Sequence, residues 1–203
     1  MKGLYALKPW YSRRLGLVVD LAVRRGISPD VFTALGVLGA ALAAVAIWQG
    51  WWPLALLFLA VRLGGANLDG AVARARGVSR PWGFVLNEVG DRVSDLLMYA
   101  GLAALAARVT GSWTSGPVVW TLLAALAATL PTLASLAAAG AGATRRNGGP
   151  LGKTERCALA VLATAVPGWL GWLGALVVFG SVVTAALRLR AAHAELRAGD
   201  RAP

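Results

Sequence analysis

The chain contains two uncharged stretches that are each too long for a single transmembrane helix. Residues 31–61 and 157–187 contain no charged side chain, whereas about 20 apolar residues already cross the roughly 30 Å hydrocarbon layer of a bilayer. Each stretch contains a turn signal near its middle, Gly-Trp-Trp-Pro in the first and Pro-Gly-Trp in the second. Divided there, and with the other apolar runs added, the pattern predicts six transmembrane helices at 31–49, 52–74, 83–107, 117–139, 151–166 and 170–189.

The segment ahead of the first predicted helix is amphipathic. Residues 10–25 alternate apolar side chains with arginines, which favours a helix lying in the cytoplasmic interface. The next five residues turn the chain into the bilayer, with Ser28 or Asp30 able to cap the following helix. We therefore expect an all-α, polytopic membrane protein. Its predicted parts are a cytoplasmic N-terminal segment with the amphipathic helix (1–28), a six-helix transmembrane domain (29–190) and a cytoplasmic C-terminal tail (191–203).

The composition indicates whether the protein lies in water or in a lipid bilayer, and the distribution of charge indicates its orientation in that bilayer. Hydrophobic residues make up 58% of the chain and charged residues 14%, and the mean hydropathy is +0.65, so a bilayer is the natural solvent. A net charge of +11 would suggest nucleic acid in a soluble protein, but no soluble basic domain carries it here, and no nucleic acid partner is expected. Six crossings place nearly all basic residues on one side. This predicts a multi-pass protein of the cell (plasma) membrane, with both termini cytoplasmic and in contact with anionic membrane lipids.

Ionisable residues inside the predicted helices are the strongest functional signal, because they are costly in a bilayer. Arg62 and Asp69 share one face of the second predicted helix. Asn87, Asp91 and Asp95 share one face of the third. The short connection between these helices makes them predicted neighbours, so the two faces can converge. Their oxygen atoms are of the kind that binds Mg²⁺, Mn²⁺ or Ca²⁺, and such a cation in turn binds phosphate.

Two other interpretations of these charges stay open. They could form ion pairs that only hold helices together, for example Arg62 with Asp69. Arg92 could pair with Glu88 or Asp95 in the same way, although buried pairs give little net stability. The charges could also mark a small transporter or channel, but they cluster at one depth and the two halves of the chain show no inverted repeat.

A longer motif spans both charged faces. The sequence Asp69-Gly70-x2-Ala73-Arg74-x8-Gly83-x7-Asp91 resembles the signature of the CDP-alcohol phosphotransferase (CDP-alcohol phosphatidyltransferase) family, D-x2-D-G-x2-A-R-x8-G-x3-D-x3-D. The spacing is met throughout, and six of the eight specified residues are present. Residues 26–33 and 152–154 are similar to the segments that open the first and fifth helices of the family, so the resemblance covers nearly the whole chain.

The resemblance implies a reaction, a site and partners. Enzymes of this family displace CMP from a CDP-linked lipid or alcohol by a second hydroxyl, in phospholipid biosynthesis, with one or two Mg²⁺ or Mn²⁺ ions as cofactor. CDP-diacylglycerol is the expected donor, the hydroxyl acceptor stays open, and a homodimer is expected. By position, Asp69 and Asn87 would ligate metal, and Asp91 would be both a metal ligand and the catalytic base. The positions that would bind CDP or phosphate are Gly70, Ala73, Arg74, Gly83 and Lys153.

Two motif aspartates are replaced in this chain. Ala66 stands at the first and cannot bind metal, and Asn87 stands at the third and offers only a neutral oxygen. With two motif carboxylates left, a dinuclear metal centre is not expected. Candidate helpers at the same site are Asp95, Arg62, Glu88 and Arg146. An active metal-dependent transferase is the favoured prediction. The alternative is a catalytically inactive relative that binds CDP-lipid or acts as a membrane interaction protein.

Overall fold

The structure is a computed structural model that describes residues 15–199, and within this range every regular element is helical. The elements in chain order are α1 (Gly16–Arg24), α2 (Pro29–Gln49), α3 (Trp52–Ala75), α4 (Pro81–Thr110), α5 (Gly116–Ala127), α6 (Leu130–Gly140), α7 (Lys153–Ala165), a 3-10 turn (Pro167–Trp169) and α8 (Leu170–Gly199). The prediction of an all-α chain is therefore confirmed for the described residues.

Five segments are long and apolar enough to cross a membrane: Pro29–Gln49, Trp52–Ala75, Pro81–Thr110, Gly116–Gly140 and Pro167–Ala198. They correspond to five of the six predicted crossings. The remaining one corresponds to α7, which has 13 residues and spans about 20 Å at 1.5 Å per residue. The described structure therefore supports a polytopic chain, and it does not confirm a count of six.

The predicted turns and caps lie at the ends of the first long helices. Ser28 is the N-cap of α2 and accepts a hydrogen bond from the backbone N–H of Asp30 at 3.4 Å. Gly50 ends α2 with φ of +77°, a backbone conformation that favours glycine, and α3 begins two residues later with Pro53 in its first turn. Capping and turn residues thus divide the first apolar run where the sequence indicated.

Two helix boundaries differ from the prediction. The fourth predicted helix is divided into α5 and α6, with Pro131 in the first turn of α6, because proline lacks the N–H that would continue the helix. At the C-terminus, α8 continues through to Gly199. Its last turns are rich in alanine, arginine and other strong helix formers, without an internal proline to stop them. The predicted boundary at 190 is therefore not a helix end.

Helix α1 covers part of the predicted amphipathic segment. It buries Ala22 in a small cluster with Phe32 of α2 and Leu68 and Val72 of α3, and it leaves Leu17 exposed. Residues 1–14 of the predicted N-terminal segment and residues 200–203 of the predicted tail lie outside the described residues. These contacts hold α1 beside the start of α2 and the end of α3.

The packing of α2 positions the charged helix faces. Helix α2 lies along both α3 and α4, whereas α3 and α4 touch each other directly over only a short length. The contact between α2 and α3 is close: a Cβ added at Gly65 would lie 2.5 Å from the Phe32 carbonyl oxygen and 2.8 Å from Gly36 Cα. Small residues permit such backbone approach in membrane helices. Since α3 and α4 otherwise diverge, space opens between their charged faces.

Replacing Gly65 with alanine is expected to lower the thermal stability of the purified protein in detergent. The added methyl group meets backbone atoms on α2 that cannot rotate away, and overpacking of this kind costs about 1–3 kcal/mol. Gly140→Ala is the matched control, because a Cβ at Gly140 meets nothing within 4 Å. Equal melting temperatures for the two variants would contradict the close α2–α3 contact.

Candidate active site

A cleft of about 590 Å³ opens where the start of α2, the end of α3 and the start of α4 meet. Its walls include seven of the predicted site residues: Asp69, Gly70, Ala73, Arg74, Gly83, Asn87 and Glu88. Two other predicted residues, Asp91 and Arg62, line a smaller cavity of about 10 Å³ together with Ala66. Asp69 and Asn87 line both spaces. We call the larger space the cleft and the smaller one the inner cavity.

Asp69 joins three helices at the boundary between these spaces. Its Oδ2 atom accepts hydrogen bonds from Thr33 Oγ1 of α2 at 2.9 Å and from Asn87 Nδ2 of α4 at 2.8 Å. The residue is 5% exposed. The two motif positions on different helices are therefore in direct contact, and the convergence of the two faces that helical spacing suggested is present at this point.

Asp91 forms an ion pair with Lys153. The Lys153 ammonium lies 2.7 Å from Oδ1 and 2.5 Å from Oδ2 of Asp91, so it contacts both carboxylate oxygens. Lys153 is the first residue of α7, and the pair joins α7 to the first half of α4. Two residues that were predicted to act on substrate are thus held against each other.

Asp95 lies one helical turn after Asp91 on α4 and contacts three arginines. Arg62 donates to Oδ1, and Arg156 and Arg92 lie 3.1 and 3.0 Å from Oδ2. Arg62 also donates to Cys157 Sγ at 2.8 Å. Asp95 lines neither the cleft nor the inner cavity, whose wall includes Ala66. The predicted ion pair between Arg62 and Asp69 is wrong, because Arg62 pairs with Asp95. The predicted pair between Arg92 and Asp95 is present.

The outer rim of the cleft has its own ion pairs. Arg145, in the loop between α6 and α7, pairs with Glu88 and lies 4.8 Å above the Phe84 ring. Asp30 pairs with Arg80 across the mouth. Arg146, the predicted helper, lies outside the cleft wall and pairs with Glu195 of α8 at 3.0 Å. The neighbouring residue Arg145 occupies the position in the cleft that was expected for Arg146.

Of the four arginines on the cleft wall, Arg74 is the one whose guanidinium makes no hydrogen bond or ion pair within residues 15–199. Arg76 donates to the Ile27 carbonyl oxygen, and the other two cleft arginines have the carboxylates just described. The Arg74 guanidinium extends back along α3, so that a Cβ at Gly70 would lie 3.1 Å from its NH1 atom. Gly70 therefore leaves room for an exposed cation beside Asp69. Such a guanidinium is suited to phosphate oxygens.

The oxygen donors around the inner cavity fit one hard divalent cation. Asp69, Asn87 and Asp91 all line this space, and carboxylate and amide oxygens are ligands that Mg²⁺ and Mn²⁺ accept. Ala66 contributes only a methyl group to the same wall. Within residues 15–199, no three histidine, cysteine or acidic side chains form a metal-binding group. The remaining ligands would therefore be water or phosphate oxygens.

Several residues of the site are not predicted by the sequence. Thr33 lies within a segment similar to the family, which predicts no contact for its side chain, and in the structure it donates to Asp69. Arg156 is buried against Asp95, and the signal for it was an arginine one turn after Lys153 at the edge of an apolar run. The sequence predicts Asp30 only as a possible helix cap, and in the structure its side chain pairs with Arg80. These partners come from distant parts of the chain, so local spacing does not reveal them.

Known proteins match both the sequence and the geometry. The family model described as CDP-alcohol phosphatidyltransferase matches residues 26–187. A phosphatidylinositol phosphate synthase of Cutibacterium acnes is 30% identical over 123 residues, which are 58% of this chain and 55% of that protein. One of Mycobacteroides abscessus is 30% identical over 170 residues, covering 82% of this chain and 74% of that protein. The chain thus aligns with about half the length of the first relative and about three quarters of the second.

Solved structures show the same fold. The crystal structure of Mycobacterium tuberculosis phosphatidylinositol phosphate synthase with CDP-DAG bound has a TM-score of 0.75 at 25% identity, covering 89% of this chain and 94% of that chain. The structure of the same enzyme in complex with manganese and citrate has a TM-score of 0.72 at 25% identity, covering 86% and 87%. With the family match extending over most of its length, the chain belongs to the CDP-alcohol phosphatidyltransferase family.

Proposed function

We propose that this protein transfers a phosphatidyl group from CDP-diacylglycerol to a hydroxyl acceptor and releases CMP, as a step of phospholipid biosynthesis. The observation that carries the proposal is the cleft, in which the motif residues of α3 and α4 come together beside the exposed guanidinium of Arg74. The structural relative with CDP-DAG bound supports a CDP-linked lipid as donor. An open cleft with a cationic wall suits a diphosphate that enters from the aqueous side.

The proposed binding roles follow from position in the cleft. Gly70, Ala73 and Gly83 are small residues on its wall, which let the nucleotide approach the backbone. Arg74 binds a phosphate of the donor through its exposed guanidinium. Lys153 contributes a second cation next to Asp91. These groups hold the diphosphate between α3 and α4, with the lipid chains directed along the helices into the bilayer.

The proposed chemistry places Asp91 as the general base. The acceptor oxygen attacks the phosphorus that carries diacylglycerol, the bond from this phosphorus to the bridging oxygen breaks, and CMP leaves with that oxygen. The acceptor proton passes to an Asp91 carboxylate oxygen. Asp69, Asn87 and Asp91 are the residues that would hold a Mg²⁺ or Mn²⁺ ion. The structural relative in complex with manganese supports a divalent cation as the cofactor. When bound, the ion would neutralise charge that develops on the leaving CMP.

A single divalent cation is the proposed cofactor. Ala66 occupies the position of the first family aspartate and presents a methyl group to the inner cavity. Asp95 forms ion pairs with three arginines. Only two motif carboxylates therefore remain for metal. Glu88 pairs with Arg145 at the rim and helps to shape the cleft, while Arg62 supports α4 through Asp95.

The proposed membrane arrangement has six crossings with both termini cytoplasmic, in the plasma membrane. Helix α7 makes the shortest crossing, continued by the 3-10 turn at Pro167–Trp169, and α1 lies in the interface with Leu17 towards lipid. Residues 1–28 and 191–203 flank the transmembrane domain at 29–190 on the cytoplasmic side. This puts the cleft, whose wall contains Arg74 and Arg80, on the side with most basic residues. A homodimer is proposed from the family alone.

The acceptor is tested by product analysis. Inositol phosphate is the first candidate, because the relatives include phosphatidylinositol phosphate synthases. Purified protein, CDP-diacylglycerol and Mn²⁺ are incubated with inositol phosphate, glycerol phosphate, inositol or serine, and the lipids are analysed by mass spectrometry. The proposal predicts one new phospholipid together with equimolar CMP. Absence of any new lipid across this panel, with intact CDP-diacylglycerol, would contradict it.

A second candidate function is a catalytically inactive relative that binds CDP-lipid. The observation that favours it is the loss of two carboxylates at Ala66 and Asn87. It predicts that CDP-diacylglycerol protects the protein from thermal unfolding equally well with Mn²⁺ and with EDTA. Protection that requires Mn²⁺, together with CMP release, would exclude it.

A further inference from the structure

The loop between α6 and α7 contributes one residue to the cleft wall. Residues 141–152 connect the end of α6 to the start of α7 and contain four glycines. Such a backbone has many accessible conformations, so the position of a side chain in this loop depends on what the loop contacts. Arg145 lies in this loop and lines the cleft. The contacts of the loop therefore determine where one cation of the cleft wall lies.

One face of α8 contacts the loop along its length. Thr184, Arg188 and Glu195 lie within about 40° of one another around this helix. Thr184 Oγ1 accepts from the Leu151 N–H at 3.1 Å. Arg188 donates to the backbone carbonyl oxygens of residues 147–148 at 2.7 and 2.9 Å. These contacts hold the second half of the loop against α8.

Glu195 holds the first half of the loop. Its Oε1 atom accepts from the backbone N–H and the hydroxyl of Thr144 at 2.7 and 2.5 Å. Its Oε2 atom pairs with Arg146 at 3.0 Å. Thr144 and Arg146 are the two sequence neighbours of Arg145, so a single carboxylate binds both sides of the cleft residue. Glu195 belongs to the part of α8 that extends beyond the predicted end at 190.

On its other side, Arg145 contacts the cleft wall of α4. It pairs with Glu88 and lies 4.8 Å above the Phe84 ring, and both partners line the cleft. Arg145 thus neutralises a carboxylate that faces the same space as the proposed nucleotide. If the loop moved and Arg145 left Glu88, the remaining negative charge would repel an anionic ligand in the cleft.

We propose that Glu195 is a positioning residue for the active site, because it holds the loop against α8 and thereby keeps Arg145 paired with Glu88. It acts on the donor through Arg145, and it does not touch the donor itself. The inference rests on the proposed function for the identity of the ligand, a CDP-linked donor. The Glu195 side chain is 32% exposed, and ion pairs of such exposure contribute little to global stability. The effect of Glu195 is therefore on the loop and not on the fold.

The first test measures the loop directly, by hydrogen–deuterium exchange and mass spectrometry of the full-length protein in detergent. Glu195→Ala removes the acceptor of the Thr144 N–H. Peptides from residues 141–152 should then exchange about two- to tenfold faster, the factor that one ordinary hydrogen bond provides. Glu195→Gln keeps an oxygen acceptor and should exchange close to the wild-type rate. The melting temperature should be the same in all three proteins.

The second test measures CDP affinity by isothermal titration calorimetry with Mn²⁺ present. We expect Glu195→Ala to bind CDP about two- to tenfold more weakly, by the same conversion, and Glu195→Gln to bind it with nearly wild-type affinity. Loss of a negative charge alone would favour an anionic ligand, so weaker binding points to the loop. Asp20→Asn removes the same charge from an exposed position on α1 and should bind CDP like the wild type.

Steady-state kinetics separate positioning from a loss of folded protein. In Glu195→Ala, the KM for CDP-diacylglycerol should rise by the factor found for CDP, while kcat at saturating donor stays at the wild-type value. A smaller fraction of folded enzyme would instead lower kcat and leave KM unchanged, and that result would contradict the positioning role.

Two further results would overturn the inference. One is faster loop exchange in Glu195→Ala with wild-type CDP affinity, because the loop would then not act on the cleft. The other is weaker CDP binding with wild-type loop exchange, because Glu195 would then act by another route. The expected changes in exchange and CDP affinity, found in a protein that releases no CMP, would support the inference and contradict the transfer reaction. Wild-type exchange and affinity in an active Glu195→Ala enzyme would contradict the inference alone.

Discussion

Replacing Asp91 with asparagine is expected to reduce the rate of CMP release by about 10²- to 10⁴-fold, the usual contribution of a general base. The amide is nearly isosteric and can still accept a hydrogen bond from Lys153, which contacts both carboxylate oxygens in the wild type. The fold should therefore persist while the proton acceptor is lost. The measurement is CMP release from CDP-diacylglycerol at saturating Mn²⁺ and acceptor, with melting temperature as the check on folding.

A matched control separates this effect from a general loss of negative charge. Asp20 lies exposed on α1 and is not part of the cleft wall, so Asp20→Asn should release CMP at the wild-type rate. Wild-type activity in folded Asp91→Asn protein would show that Asp91 is not the general base.

The second large effect is expected on stability. Asp95→Asn leaves three arginines around a neutral group in the middle of the helix bundle. Breaking a buried ion pair from one side costs about 3–5 kcal/mol, because the remaining charge stays buried without a partner. We expect a strongly lowered melting temperature in detergent and a lower yield of folded protein. The protein that does fold should be poorly active, since α3, α4 and α7 all meet at this carboxylate.

Asp30→Asn is the control for the Asp95 variant. The Asp30–Arg80 pair has side chains that are 39% and 53% exposed, and exposed pairs contribute about 0–1 kcal/mol. Its melting temperature should therefore stay close to that of the wild type. Similar decreases in melting temperature for the two variants would mean that burial of the Asp95 ion pairs does not determine how much they stabilise the protein.

The sequence predicted the helices well where a strong local signal divides the apolar runs. Gly50 and the proline after it end one helix and begin the next, because turn chemistry acts over a few residues. The C-terminal helix was predicted too short, since a fall in hydropathy near 190 marks the end of a membrane crossing and not the end of helix formation. Membrane crossing and helicity are separate properties, and only the first depends on apolar composition.

The site was predictable within helices and less so between them. The spacing of Asn87, Asp91 and Asp95 placed them on one face of α4, but their partners depend on the depth and rotation of the other helices. Lys153 thus meets Asp91, and Arg156 meets Asp95 from α7. The spacing of residues within one helix carries no information on the depth and rotation of the helices beside it.

Acceptor-dependent release of CMP by purified wild-type protein tests most directly whether the reduced aspartate set still supports catalysis. The assay contains CDP-diacylglycerol, Mn²⁺ and inositol phosphate, with parallel samples that lack acceptor or contain EDTA. We expect CMP to accumulate over many turnovers only when both Mn²⁺ and an acceptor from the panel are present. Folded protein that binds CDP yet releases no CMP with any acceptor of the panel would contradict the assignment of Asp69 and Asp91 to a working active site.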